Sequence, residues 1–196
     1  MQVPMSPVRI LKRAVKLYGE KTAVVDGDIR FSYAEVQNRV NRVVHAVHAM
    51  DISPGGKIAV LDYNTFRYME LYFGAAASDR VLSPLNTRLS ADEYAYILKD
   101  SEADAIIFHA DFKPVLEKVR ESTDSLKHYY IADGQADADW ITGTYEELIA
   151  EADDTPPADE PEDENATLNL YYTSGTTGNP KGVMLTHRNI YANALT

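Results

Sequence analysis

The stretch YYTSGTTGNPKGVML occupies residues 171–185, close to the end of the sequence. Its central ten residues, 173–182, contain four hydroxyl side chains, three glycines and one lysine. Residues 167–172 before it alternate between polar and apolar side chains, and residues 183–185 after it are apolar. We therefore predict two strands joined by a loop, followed by a helix that begins at about His187 behind the N-cap residue Thr186.

The composition of this loop suits a polyphosphate ligand. Glycines let main-chain N–H groups approach a ligand closely, and successive N–H groups turned inward form an anion-binding nest. Hydroxyls add donors that rotate to fit phosphate oxygens, and a lysine adds a point charge. The alternative is a glycine-rich hairpin loop that binds no ligand and whose hydroxyls are solvated. We predict that the binding residues are Thr173, Ser174, Gly175, Thr176, Thr177, Gly178 and Lys181.

The spacing within the loop differs from the phosphate loop of nucleotide hydrolases. That motif places four residues between two glycines, and Lys and Ser/Thr follow the second glycine. Counted from Gly175, the second glycine falls on Pro180, and counted from Gly178 it falls on Val183. Both registers fail, which argues against a kinase or hydrolase of that class.

Upstream of the loop, short apolar strands alternate with helices. Ser32 with Glu35 and Ser90 with Glu93 are capping boxes, each of which predicts a helix start. Strands are predicted at 22–25, 29–31, 57–61, 80–83, 105–108 and 128–132. Helices are predicted at 7–18, 65–77, 91–99, 112–121 and 144–151, and one more begins after Ser32. This alternation indicates an α/β fold with a mostly parallel sheet covered by helices.

The composition narrows the class of protein. The 196 residues include no cysteine, which excludes disulfides and thiolate zinc sites, and no apolar run approaches the roughly 20 residues of a membrane span. We expect a cytoplasmic protein. The formal net charge is -11, which argues against non-specific binding to nucleic acid. The basic helix at 7–18 is expected to pack through its apolar side, with contact to an anionic membrane as the alternative, so any membrane association would be peripheral.

The domain organisation is predicted from one acidic segment. Residues 153–166 are polar and contain three prolines, so we predict a solvated connector there. Residues 1–152 then form an N-terminal α/β subdomain, and residues 167–196 form the strand, phosphate loop, strand and helix that begin the next one. The last residue lies inside the predicted helix, so we expect a truncated product or an excised piece.

The loop sequence resembles the phosphate-binding signature of the adenylate-forming superfamily, which includes acyl- and aryl-CoA synthetases, luciferases and peptide-synthetase adenylation domains. Residues 31–35 and 38–42 are similar to the early strand-to-helix junction of that family, and residues 84–93 resemble the acyl-CoA synthetase branch. The resemblance covers about residues 6–196. One departure is Asp79, where a family glycine is expected. If that turn needs a positive φ, aspartate adopts it at some cost.

The resemblance implies an AMP-forming acid–thiol ligase. A carboxylate and ATP would give an acyl-adenylate and pyrophosphate, and coenzyme A would then form the thioester. Residues 173–181 would cradle the β- and γ-phosphates, Lys181 would neutralise charge, and Thr173 would contact Mg²⁺. A medium- or long-chain fatty acid is the expected substrate, with an aryl acid as the alternative, and a homodimer is compatible with the family.

Family members are about five hundred residues long, so these residues resemble only their N-terminal portion. No catalytic residue is assigned here, and we expect the chain alone to be inactive and prone to self-association. A non-catalytic structural or interaction module is the second hypothesis. We read His45 and His48 as helix-surface residues and not as metal ligands. We assign His187 a packing role, with a place near substrate as the alternative.

Overall fold

The computed structural model describes residues 3–158, 162–173 and 178–195. The strands in these residues are β1 (Thr22–Asp26), β2 (Ile29–Ser32), β3 (Lys57–Leu61), β4 (Val81–Pro84), β5 (Ala105–His109), β6 (His128–Asp133), β7 (Gly143–Thr144), β8 (Thr167–Thr173) and β9 (Lys181–Thr186). The α-helices are α1 (Pro7–Tyr18), α2 (Tyr33–Ala49), α3 (Phe66–Ala77), α4 (Ala91–Asp100), α5 (Lys113–Val119), α6 (Tyr145–Ala150) and α7 (His187–Ala194). Each predicted strand and helix is present, with ends shifted by a few residues.

Seven of the described strands form one sheet in the order β7-β6-β5-β3-β4-β8-β9. Every neighbouring pair is parallel except β8 and β9, which are antiparallel. Strands β1 and β2 form a separate antiparallel hairpin. The chain crosses from β4 over β3 to reach β5, so helices are needed on both faces of the sheet.

Both faces of the sheet are buried, as the apolar composition of the strands predicts. On β3, Ile58 and Val60 join a core cluster with residues of α2, α3 and α6. Their neighbours Ala59 and Leu61 join a second cluster with residues of α4 and α5. This alternation confirms the predicted α/β fold with a mostly parallel sheet between two layers of helices.

Side-chain caps fix the helix starts. The Ser32 Oγ accepts a hydrogen bond from the Glu35 N–H at 3.2 Å, and the Glu35 carboxylate accepts one from the Ser32 N–H at 2.7 Å. The predicted box at the start of α4 and the predicted N-cap Thr186 are confirmed. The capping box that opens α6 was missed.

Asp79 lies in the turn between α3 and β4 and has a φ of 57°. The turn therefore does require the left-handed region, in which aspartate is tolerated at a cost that glycine avoids. The Asp79 carbonyl oxygen accepts a hydrogen bond from the Gly55 N–H at 2.8 Å. The departure from a glycine at this position thus places strain in the backbone just before β4.

The acidic segment at 153–166 makes specific contacts near both of its ends. Arg42 on α2 donates to the Ala152 carbonyl at 2.8 Å and to the Asp154 carboxylate at 3.1 Å. Near the other end, Glu164 accepts from the Met5 N–H at 2.8 Å and pairs with Arg188. Ion pairs and main-chain acceptors therefore hold both ends of the segment, while residues 159–161 lie outside the described residues.

Strands on both sides of the acidic segment share the one sheet, since β4 pairs with β8. The division into 1–152, 153–166 and 167–196 therefore stays a prediction. In the described part of the chain, none of the helices combines the length and the apolar character that a bilayer crossing requires.

Candidate phosphate-binding site

The loop of interest joins β8 and β9 at the carboxyl end of β8. The two strands form an antiparallel ladder whose last pair is Thr173 with Lys181. Strand β8 runs parallel to β4, so the loop lies at the edge where the parallel strands of the sheet end. Open α/β sheets bind ligands outside the carboxyl ends of their strands. The position of the loop therefore suits a binding site.

Three of the seven predicted site residues lie in the described part of the chain. Thr173 and Lys181 are exposed and directly opposite one another, so their side chains project from the same face of the ladder. Gly178 has a φ of 98°, and a Cβ at this position would meet no atom of the described residues within 4 Å. The predicted residues Ser174, Gly175, Thr176 and Thr177 lie outside the described residues, so their placement stays a prediction.

The charge of Lys181 is available to a ligand. Within the described residues, no ion pair or hydrogen bond involves its ammonium group. A hydroxyl and an ammonium group that face the same side of one loop base are donors of the kind that anion-binding sites use. In the described part of the chain, no group of three His, Cys, Asp or Glu side chains is placed to hold a metal ion.

Two tyrosines hold the base of the loop from opposite faces of the sheet. The Tyr171 hydroxyl lies 2.9 Å from the Tyr72 hydroxyl on α3, and the Tyr172 hydroxyl donates to the Asp100 carboxylate on α4 at 2.7 Å. Burial, and then the hydrogen bond to Tyr171, raises the pKa of Tyr72. Burial, and then Asp100, raises the pKa of Tyr172. The phenols of Tyr72 and Tyr172 stay neutral at physiological pH. The two hydrogen bonds anchor the strand that leads into the loop.

A second polar group at the same edge was missed by the sequence analysis. Asp62 directly follows β3 and is almost fully buried, and that burial raises the pKa of its carboxyl. Tyr63 next to it donates to the Asp111 carboxylate at 2.9 Å, and the His109 Nδ1 lies 3.5 Å from Asp111. The only sequence signal was the position of these residues after two predicted strands, because carboxyl ends of parallel strands meet at one edge.

His187 is buried, and its geometry favours the packing role. Its Nδ1 lies 3.0 Å from the Ser6 Oγ, and burial lowers the pKa of its imidazole. His45 similarly has a local structural partner, since its Nε2 lies 3.0 Å from the Thr155 carbonyl oxygen. Neither histidine is directed into the loop by these contacts.

Comparisons with known proteins find relatives of this chain in sequence and in fold. A family model described as AMP-binding enzyme matches residues 11–196. A long-chain-fatty-acid–CoA ligase of Thermus thermophilus is 35% identical over 189 residues, which make up 94% of this chain and 34% of the relative.

Two solved structures superimpose on nearly the whole chain. An anthranilate CoA ligase, AuaEII, in complex with anthranoyl-AMP has a TM-score of 0.89 at 26% identity, over 96% of this chain and 36% of that one. The inhibitor-bound N-terminal domain of FACL13 from Mycobacterium tuberculosis has a TM-score of 0.83 at 30% identity, over 93% of this chain and 44% of that one. The chain thus spans about a third of the length of the curated relative. The loop between β8 and β9 lies inside the shared region.

Proposed function

The chain belongs to the AMP-binding enzyme family, and from that membership we propose that it forms the N-terminal part of an ATP-dependent acyl-CoA synthetase. In the proposed reaction a carboxylate oxygen attacks the α-phosphorus of ATP, and pyrophosphate leaves with the electron pair of the broken P–O bond. The thiol of coenzyme A then loses its proton and attacks the acyl carbon, and AMP leaves. These 196 residues would supply the pyrophosphate-binding part of that site.

The observation that carries this proposal is the pairing of Thr173 with Lys181 at the base of a loop rich in glycine and hydroxyl side chains. A leaving pyrophosphate gains negative charge in the transition state, and fixed donors stabilise that charge more than they stabilise the bound substrate. Lys181 would neutralise the β- and γ-phosphates, and Gly178 would keep the loop backbone open to them. The tyrosine anchors at 171 and 172 would keep this base in place.

Mg²⁺ fits this site as an ion carried by the nucleotide. Thr173 offers one exposed hydroxyl oxygen at the end of β8, and the described residues add no carboxylate cluster around it. Mg²⁺ commonly keeps several waters and binds substrate phosphates together with few protein oxygens. When bound, the ion would offset the charge of the phosphates, and Thr173 would orient it from the protein side.

We propose a medium- or long-chain fatty acid as the substrate, with an aryl acid as the second candidate. The first choice is supported by the identity to the Thermus relative, which is named a long-chain-fatty-acid–CoA ligase. The second is supported by the superposition on the anthranilate CoA ligase. A panel of saturated fatty acids and benzoates would separate the two.

Isolated, the 196-residue chain is expected to be inactive, because ligases of the family are about three times as long. Strand β9 also leaves apolar side chains open, with Met184 67% exposed and Val183 exposed beside it. An open sheet edge with apolar side chains favours association between copies. We therefore expect the isolated chain to self-associate at high concentration.

The products of ATP cleavage test the proposal. The product of the complete reading frame that contains these residues should convert ATP to AMP and pyrophosphate when a suitable acid is added. Formation of ADP and phosphate instead would contradict an adenylating enzyme. Cleavage of ATP in the absence of a carboxylic acid substrate would contradict the proposed ligase activity.

A further inference from the structure

Helix α1 presents a line of cations to solvent. Arg9, Arg13 and Lys16 are four and three residues apart, so they lie one above the other on one helix face, and all three are exposed. The helix contains no Asp or Glu. Within the described residues, none of the three takes part in an ion pair. Among the described residues, these three cations therefore form a surface without paired acids.

Apolar side chains border this line on one side. Ile10 and Leu17 are seven residues apart, which is two helical turns, and are 36% and 55% exposed. The opposite face of the helix buries Val8 and Leu11 in two core clusters. The helix is therefore held on the domain by its inner face. Its outer face combines cations with an apolar margin, as interfacial helices do.

The rest of the chain does not share this charge. Residues 1–50 carry eight Lys/Arg and four Asp/Glu, while the whole chain has a net charge of -11. The Debye length is about 8 Å at physiological salt, so acids on distant surfaces are screened from a ligand that contacts α1. A flat anionic surface that touches α1 first would therefore meet local positive charge.

We propose that the outer face of α1 docks this protein on an anionic membrane surface. The helix would lie in the plane of the interface, with Arg9, Arg13 and Lys16 near lipid phosphates and with Ile10 and Leu17 dipping between headgroups. A lipid surface fits better than a nucleic acid, because the exposed side chains of Ile10 and Leu17 can enter the headgroup region of a membrane, whereas a phosphate backbone offers them no apolar contact. Each cation near such a surface strengthens binding about fivefold, or about 1 kcal/mol. This inference does not depend on the proposed ligase activity.

The test is co-sedimentation of the 196-residue chain with vesicles of phosphatidylcholine, alone or mixed with phosphatidylglycerol. The chain should bind the anionic vesicles, and raising the salt to about 1 M should release it. The triple variant R9Q/R13Q/K16Q should weaken binding roughly a hundredfold, because three such contributions multiply. Leu17→Ser should weaken it severalfold and leave its salt dependence unchanged.

A matched triple variant controls for net charge. K99Q/K118Q/K127Q removes three exposed lysines from other elements and should bind anionic vesicles as the parent does. Equal losses in both triple variants, equal binding to both kinds of vesicle, or no binding at all would overturn the proposal. So would a concentration-dependent dimer, measured by light scattering, that only the α1 variant loses. That outcome would assign the face to the acidic segment of a second copy.

Discussion

The side chains of Ser6 and His187 share a hydrogen bond 3.0 Å long, although they are 181 residues apart, and both are buried. Ser6 precedes α1, and His187 opens α7, immediately after the strand that carries Lys181. The bond therefore ties the start of the chain to the hairpin of the phosphate loop. Burial lowers the pKa of His187 because the charged imidazolium would lose its hydration there.

This contact predicts a pH dependence of stability. The unfolded chain takes up a proton at His187 near pH 6.5, whereas the folded chain resists it. The free energy of unfolding should therefore fall as the pH drops below that value, by at most about 1.4 kcal/mol per pH unit. Urea unfolding at stepped pH should show this slope in the parent and in His128→Gln. His187→Gln should lose it, and an unchanged slope in that variant would contradict the assignment.

Gly74 is a point of close packing between α3 and α2. A Cβ built on Gly74 would lie 2.3 Å from the Val43 Cγ1 and 2.9 Å from its Cβ. Gly74→Ala should therefore lower the free energy of unfolding by about 2 kcal/mol, since two packed helices would have to separate. Gly143→Ala is the matched control, because its Cβ would make ordinary contacts at 3.6 Å. If the two variants were equally stable in denaturant unfolding, α2 and α3 would be able to move apart at little cost in free energy.

The backbone at Asp79 predicts an order of stability among variants. With φ at 57°, a β-branched residue is strained there, whereas glycine is not. Asp79→Gly should match or exceed the parent by up to about 1 kcal/mol, and Asp79→Val should be less stable than the parent by about 2 kcal/mol. Chemical denaturation of both variants gives the order. A valine variant as stable as the glycine variant would mean that the turn changes its conformation.

Arg39 binds one buried and one exposed glutamate. We therefore expect substitution of the two glutamates to lower the free energy of unfolding by different amounts. The Glu70 side chain is 2% exposed, and its carboxylate also accepts from the Tyr145 hydroxyl at 2.8 Å, whereas the Glu146 side chain is 48% exposed. Glu70→Gln should lower the free energy of unfolding by about 3 kcal/mol, because it leaves a partly buried guanidinium without its inner partner. Glu146→Gln should cost less than about 1 kcal/mol. Thermal and urea unfolding should show a larger loss of stability for Glu70→Gln than for Glu146→Gln. The reverse order would contradict the role of burial.

We expect substitution of Lys181 to lower the enzymatic activity without lowering the stability of the fold. In the product of the complete reading frame, Lys181→Ala should lower kcat/KM for ATP about a hundredfold, since one stabilising charge on the leaving pyrophosphate is removed. The exposed Lys118→Ala on α5 should leave that value unchanged. Both variants should unfold at the same temperature as the parent. A Lys181 variant that keeps full activity would remove this residue from the site.

Local patterns predicted much of the fold, because their partners are close in sequence. Ser32 with Glu35 and Ser90 with Glu93 are three residues apart, and the helices they begin are present. The apolar strands and the glycine-rich loop were likewise recognisable from neighbouring residues. The placement of the loop between β8 and β9 followed from the same evidence.

Contacts between distant residues were not predictable. Nothing near Tyr171 in the sequence indicates that its hydroxyl meets that of Tyr72 on α3. Ser6 stands at the N-cap position of α1, yet its side chain bonds to His187 and makes no cap hydrogen bond. The order of strands also depends on crossovers that local periodicity does not encode. At the site, the sequence identified the loop, whereas the neighbouring group of Asp62, Tyr63, His109 and Asp111 emerged only from the fold.

We propose that the loop between Thr173 and Lys181 binds the pyrophosphate end of ATP in an enzyme that adenylates a carboxylic acid. The most direct measurement is acid-dependent exchange of labelled pyrophosphate into ATP, with the product of the complete reading frame and a panel of fatty and aryl acids. We expect exchange with at least one fatty acid and little exchange in Lys181→Ala. Absence of exchange with every acid, from a folded protein that binds ATP, would contradict it.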